Sequence, residues 1–383
     1  MNCALLALLS ASVAHADEEK LFKVSGMAVL GATYSSERNA DYTSGIDHPN
    51  GAGKTRTYDF LSDSRFILQV DSQFNEQFSA MLQMTSEHRY NNTFVPHLTA
   101  SALKWQVTPN IDLRIGRQPF VSFLVPDEKT AWVRQTTEVY QSGLLNLYDG
   151  AALTAKTQWG DATFTAQGYV GSIQYPIPGD VSIRFSNLVG INLFGQVGDS
   201  TVRFSRIRGR FTLHSPTTDQ ALALLRTLPN GNALADRHQV QDTPSGYSSL
   251  TYAYQNSTGY LLAEVMQFST GESFVADSTQ GEITAGYHIG KFTPFATLAG
   301  KRANKVASDP NPILNALFAG RNVGQKSAVV GVRWNWMKNT VLKAQYDYVI
   351  NSAGSAGALS NIQAGFQPGG RYRLVSAALE YTF

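Results

Sequence analysis

Val375-Ser376-Ala377-Ala378-Leu379-Glu380-Tyr381-Thr382-Phe383, the last nine residues of the chain, decide the reading of the fold. Extended, they place Val375, Ala377, Leu379, Tyr381 and Phe383 on one face and Ser376, Ala378, Glu380 and Thr382 on the other. One face is apolar and ends in two aromatics, and the other is mostly polar. A strand with lipid on one side and water on the other needs this pattern. A half-buried edge strand of a soluble sheet would alternate in the same way, so the rest of the chain has to discriminate between the two.

The alternation recurs along the whole length. Gly26, Ala28, Leu30, Ala32 and Tyr34 share a face, as do Phe66, Leu68 and Val70, and Leu342, Ala344, Tyr346 and Tyr348. Such segments number about 16, each about 10 residues long, which is the length a tilted spanning strand requires. Short connections (72–76, 108–110, 158–161, 198–200, 255–258, 290–291 and 337–339) take turns with longer polar ones. A barrel of about 16 strands with both termini at the short-turn end has about seven short turns and eight long loops. Trp105, Trp159, Trp334 and Trp336 lie in or just before short turns, where an interfacial girdle belongs. The fold class expected is therefore all-β: a transmembrane antiparallel β-barrel of about 16 strands with long loops at one end and short turns at the other.

Composition agrees with export. Ala4 to Val13 is apolar, and Ala14-His15-Ala16 is a cleavage pattern ahead of Asp17, so residues 1–16 read as a signal peptide and 17–383 as one barrel domain. No Lys or Arg precedes the apolar run, which fits a signal peptide poorly. Cys3, the single cysteine, falls inside that segment, so the mature chain carries no disulfide and no thiolate metal site. Charged residues make up 16% of the chain, below the roughly 25% of ordinary soluble domains. A net charge of +2 gives no nucleic-acid footprint. No apolar run of about 18 residues follows the signal, so no spanning helix is expected.

With these features assembled, the chain resembles the bacterial general porins of the trimeric, 16-stranded type. The resemblance rests on the signal, the alternating strands, Leu342-Lys343-Ala344-Gln345-Tyr346-Asp347-Tyr348 and the terminal Tyr381-Thr382-Phe383. It implies an outer-membrane channel for ions and small hydrophilic solutes, assembled as a homotrimer and narrowed by an inward-folded third loop. That loop would be Pro119 to Leu147, though the Pro-Glu-Phe-Gly-Gly motif of enterobacterial porins is missing. The expected partners are outer-membrane lipid and lipopolysaccharide, and the barrel-assembly machinery that reads Tyr381 and Phe383.

A charge filter is set by side chains at the narrowing. The loop offers Asp127, Glu128 and Glu138 against Lys129 and Arg134. The wall offers Arg65, Lys104, Arg114, Lys156, Arg203, Arg333 and Lys343 against Asp112, Glu282 and Asp347. Asp127, Glu128, Arg65 and Arg114 are the leading constriction candidates. The excess of wall bases leans toward anion preference, while solvated or locally paired charges away from the narrowing remain an equal reading. Arg203, Arg206, Arg208 and Arg210 cannot all face lipid, so their strand is expected to leave the bilayer near Ser205 or to carry a bulge. The exposed arginines then form either a solvated extension or a lipopolysaccharide-binding rim. Thr217 to Gln220 reads as a capping box for a short loop helix stopped by Pro229-Asn230-Gly231.

No catalytic residue, metal site or cofactor site is read from the sequence. Gly51-Ala52-Gly53-Lys54-Thr55 imitates the end of a phosphate loop, but His48 stands where that motif needs Gly. The alternatives to a passive channel are a substrate-selective channel and, less favoured, an outer-membrane enzyme. The enzyme would hydrolyse lipid and show no large conductance.

Overall fold

The computed structural model describes residues 21–120, 132–134, 136–140, 147–271, 275–304, 311–319 and 322–383. Residues 1–16, expected to be a signal peptide, and Asp127, Glu128 and Lys129 lie outside the described residues.

Sixteen long strands form one closed antiparallel sheet. The first four are β1 (Phe22–Ser35), β2 (Arg65–Gln73), β3 (Phe78–Glu87) and β4 (His97–Thr108). Next come β5 (Ile111–Pro119), β6 (Leu147–Trp159), β7 (Ala162–Ile177) and β8 (Val181–Val197). The third quarter is β9 (Ser200–His214), β10 (Thr243–Gln255), β11 (Gly259–Ser269) and β12 (Ser278–Tyr287). The last is β13 (Phe292–Ala303), β14 (Gln325–Met337), β15 (Thr340–Asn351) and β16 (Arg371–Thr382). Each strand pairs with its sequence neighbours, and a short piece of the first loop, Tyr58–Asp59, extends the ladder beside Thr33 and Tyr34.

The sheet closes where β1 meets β16, in register from Met27 opposite Thr382 to Ser35 opposite Leu374. Gly26 and Phe383 exchange backbone hydrogen bonds, each 3.0 Å long. Gly26 leaves room here, because a Cβ at that position would collide with the Phe383 ring and the Ile67 carbonyl. Phe383 stacks on Phe66 and Tyr381, with ring centroids 6.2 Å apart in each pair.

The short turns all lie at one end, at 74–77, 109–110, 160–161, 198–199, 256–258, 288–291 and 338–339. The expectation of long connections at the other end fails once. β7 and β8 are 16 and 17 residues long and are joined by Pro178-Gly179-Asp180 alone, in a hairpin taller than its neighbours. The helix expected around 221–225 is longer and begins earlier. α1 is the third loop's single turn, Thr137–Tyr140, and this loop helix is α2 (Pro216–Arg226). Pro216 opens α2 behind Ser215, so Thr217 to Gln220 lie in its first turn and do not cap it. Asn230, with a left-handed φ of 58°, ends the break and begins α3 (Gly231–His238). A further loop helix is α4 (Pro312–Ala319).

The strands change polarity partway up. Low on β9, Val202 and Phe204 point outward and Arg203 and Ser205 are buried inside; above them Arg206, Arg208 and Arg210 point outward while Ile207 and Phe211 are buried inside. β16 does the same, with Val375, Leu379 and Tyr381 out and Ser376 and Glu380 in below, then Arg371 and Arg373 out and Tyr372 and Leu374 in above. On β8, outward Val189 and Ile191 give way to outward Arg184 with Ile183 and Phe185 inside, across a register shift between Ser186 and Val189. Below the inversion the outside suits lipid and the inside suits water. Above it the outside suits water, and the inside is a packed core holding Phe120, Tyr148, Tyr169, Phe211, Leu225 and Met266. The inversion level marks the upper edge of the apolar band, which places the outward arginines above it. β9 thus runs unbroken to His214, and the shift sits on its neighbour β8.

Removing Phe383, or introducing Gly26→Val, is expected to lower the yield of folded barrel roughly fivefold or more, because both open the closing seam. The readout is the gel band that migrates fast unheated and shifts on boiling; a wild-type yield of that band from either variant would show that the seam closes without this contact.

Candidate functional site: the lumen and its third loop

The chain leaves β5 at Pro119 and returns at Leu147, and its described residues touch the wall on the far side of the barrel. Trp132 packs with Leu262, Phe295 and Val329, and its indole Nε1 donates to Thr297 Oγ1 at 3.1 Å. The Val133 amide donates to Gln345 Oε1 at 3.0 Å. Thr136 donates its hydroxyl to the Glu282 carboxylate, and Thr137 Oγ1 accepts from Gln325 Nε2 at 3.0 Å. These partners lie on β11 through β15.

Arg134 is the centre of the anchor. One guanidinium nitrogen donates to Thr33 Oγ1 at 3.0 Å, to Asp63 Oδ2 at 3.2 Å and to the Ser376 hydroxyl, while the other reaches Asp347 Oδ2 at 3.1 Å. Its carbon lies 4.6 Å from the centroid of the Tyr42 ring. All five partners are buried. Burial works against the guanidinium's charge, but Tyr42, Asp347 and Asp63 together raise its pKa above the ordinary arginine value. Tyr42 also packs with Leu359, Phe366, Tyr372 and Leu374, so the first, third and last loops meet around one cation. A buried cation facing two carboxylates is costly to unpair, because the acids are then left without a counter-charge.

The candidate wall bases divide into paired and unpaired. Arg203 faces inward but is buried against Glu264 at 3.5 Å and Thr251 at 3.1 Å. Lys343 is held by Glu380 at 2.7 Å, Arg114 by Asp112 at 3.1 Å, and Arg333 donates to Asn335 at 3.0 Å. Arg65, Lys104 and Lys156 make no ion pair among the described residues and lie on β2, β4 and β6; Glu87 faces Arg65 across the β2–β3 ladder, and Asp63, a partner of Arg134, lies two residues before it. Trp105, Trp159 and Trp336 are exposed at the short-turn end, and aromatic stacking links Phe78 to Trp105 at 6.1 Å and Phe292 to Trp334 at 5.6 Å. The imitation phosphate loop holds a carboxylate instead: Asp41 accepts from the Thr55 amide at 2.7 Å.

Sequence reasoning counted Arg134 among the loop charges without giving it a role, and it missed Tyr42, Asp63 and Trp132. A signal was available in Trp132, the one tryptophan outside the girdle, which directly precedes Val133 and Arg134 in a loop.

No protein-family model matches the sequence, and no curated protein matches it. Solved structures do. The outer-membrane channel DcaP of Acinetobacter baumannii aligns over 94% of this chain and 97% of its own, with a TM-score of 0.60 at 10% identity. OmpF of Salmonella typhi, solved with daunomycin, covers 94% and 97% at TM-score 0.57 and 12% identity. An anion-selective porin from Comamonas acidovorans covers 94% and 99% at TM-score 0.56 and 12% identity. The fold is that of the Gram-negative outer-membrane porins.

Arg134→Ala is expected to cost about 3–5 kcal/mol locally and to free the third loop from the wall. In detergent solution the wild-type loop should resist protease, whereas the variant should be cut between residues 119 and 147. Equal resistance in both would mean that Arg134 does not hold the loop.

Proposed function

We propose that the chain is an outer-membrane channel for passive diffusion of ions and small hydrophilic solutes, narrowed by its third loop and favouring anions. The observation that carries this reading is the loop's attachment to the wall through Trp132, Arg134 and Thr136, while Lys104 and Lys156 on β4 and β6 make no ion pair among the described residues. A loop fixed across a lumen shortens its free width. Charges left without partners at the narrowing act on passing ions, and basic ones attract anions. Arg203 and Lys343, neutralised by Glu264 and Glu380, contribute little to that field. Asp127 and Glu128 would supply the acidic side facing Arg65 and Arg114, giving a transverse field that passes hydrated polar solutes and slows apolar ones.

The outer surface supports a lipopolysaccharide leaflet. Arg184, Arg206, Arg208 and Arg210 stand outward just above the apolar band, where headgroup phosphates lie, with Arg210 partly satisfied by Asp242 at 2.7 Å. At the other end, Trp105, Trp159, Trp334 and Trp336 form the periplasmic girdle, and Tyr381 and Phe383 present the signal read during assembly. A homotrimer is the proposed assembly; OmpT of Vibrio cholerae, similar at TM-score 0.54 and 11% identity, is described in a trimer form.

The purified protein in a planar bilayer, under a KCl gradient of about tenfold, should give a reversal potential of the sign set by chloride. Lys104→Gln with Lys156→Gln should move that potential toward zero. A potassium-side reversal potential in the wild type would sink the anion preference, and absence of conductance would sink the channel reading.

A further inference from the structure

A cavity of about 370 Å³ opens inside the barrel above the third loop, and its two sides differ in chemistry. One side is apolar: Ile183 and Phe185 of β8, Phe211 of β9, Tyr247 of β10 and Phe268 of β11. The other is a polar row. Gln280, Lys301 and Gln325 sit directly opposite one another in the ladder of β12, β13 and β14, all facing inward, and Glu138 of the third loop stands over them. Groups paired across adjacent strands in this way lie within reach of one small molecule.

Two acceptor atoms in the polar row lack partners. Glu138 Oε1 and Gln280 Oε1 are buried with no hydrogen bond, on residues only 2% and 4% exposed, while Gln325 and Ser327 lie within reach of the Glu138 carboxylate. Lys301 makes no hydrogen bond or close ion pair among the described residues, and the Glu138 carboxylate interacts with it electrostatically. Buried acceptors without donors are costly, so a site that leaves two of them beside an ammonium can accept a ligand's donors. Its complement has donors for Glu138 and Gln280, an anion for Lys301 and an apolar body for the aromatic side. A passive pore has no need of an aromatic wall, whereas a binding site draws most of its affinity from such surface and its orientation from a few polar groups.

We propose that this cavity binds a zwitterionic solute of amino-acid size with an apolar or aromatic side chain, its carboxylate on Lys301, its ammonium between Glu138 and Gln280, and its side chain on Phe185, Phe211 and Phe268. The proposal deepens the channel reading, on which it rests, by making the channel selective for one class of cargo. Burial raises the Glu138 carboxyl above the ordinary carboxylate range, and an ammonium seated beside it stabilises the ionised form.

The test separates the two readings, because binding is measured by calorimetry on detergent-solubilised protein and conductance in bilayers. Phenylalanine is expected to bind about tenfold more tightly than 3-phenylpropionate, phenethylamine or alanine, each of which lacks one of the three features. Lys301→Gln should remove the advantage of phenylalanine over phenethylamine, and Glu138→Gln its advantage over 3-phenylpropionate; the gel shift on boiling verifies that both variants fold. Equal binding of phenylalanine and 3-phenylpropionate to the wild type would overturn the zwitterion assignment. No binding of any of the four in a protein that conducts would overturn the site and leave the channel standing. Binding of phenylalanine with the expected order, in a protein that does not conduct, would uphold the site and remove the channel reading.

Discussion

Backbone groups that cross hydrocarbon must find their hydrogen bonds within the protein, and the pairing of β1 with β16 completes that requirement here. An open sheet would leave two rows of unpaired N–H and C=O groups facing lipid, each costing several kcal/mol. Closure sets the remaining features. The last strand must pair with the first, and with sixteen antiparallel strands β1 starts and β16 ends at the short-turn end. Side chains must alternate between lipid and lumen along every strand. Gly26 must stay small, because the ring of Phe383 occupies the space a side chain would take.

The parts of the fold legible in the sequence are those that closure dictates locally. The apolar face of Val375 to Phe383, the short turns and the outward tryptophans follow from period-2 patterning and need no partner to be known. The tall β7–β8 hairpin was missed for a physical reason. Period-2 patterning reports which face is apolar, and the eye assigns the apolar face to lipid. Above the bilayer the assignment reverses, so Ile183 and Phe185 are inward and Arg184 outward, and a strand there resembles a polar loop broken by stray aromatics. The arginines of β9 posed the same puzzle; Arg203 belongs to the lumen below the inversion, and Arg206, Arg208 and Arg210 to the water above it.

The candidate site was less legible because its contacts are remote in sequence. Arg134 gathers Thr33, Tyr42, Asp63, Asp347 and Ser376 from both ends of the chain, and no local pattern announces that convergence. Counting wall charges could not separate Arg65 and Lys156 from Arg203 and Lys343. Arg203 and Lys343 reach the carboxylates of Glu264 and Glu380 within ion-pair distance, whereas Lys156, and Arg65 opposite Glu87, make no ion pair among the described residues, and such contacts depend on register. A pairing shifted by one residue would move Glu380 to the lipid face and leave Lys343 bare.

The polarity inversion also bears on how a solute meets this lumen. Below it the interior carries charge and favours hydrated ions. Above it the interior is aromatic and packed, with Phe120, Tyr148 and Tyr169 at the root of the third loop and Phe211 and Tyr247 across from Lys301. A purely charged solute gains nothing from the upper zone, and a purely apolar one is opposed by the lower. A molecule bearing both kinds of surface is favoured in each zone in turn, provided that neither holds it too tightly for it to leave. The third loop lies at the boundary of the two zones, with Glu138 facing the cavity and Arg134 locked into the wall four residues earlier in the chain. Holding the loop and presenting a ligand group to the cavity are therefore tasks of one short segment, and a change that loosens the anchor should disturb both.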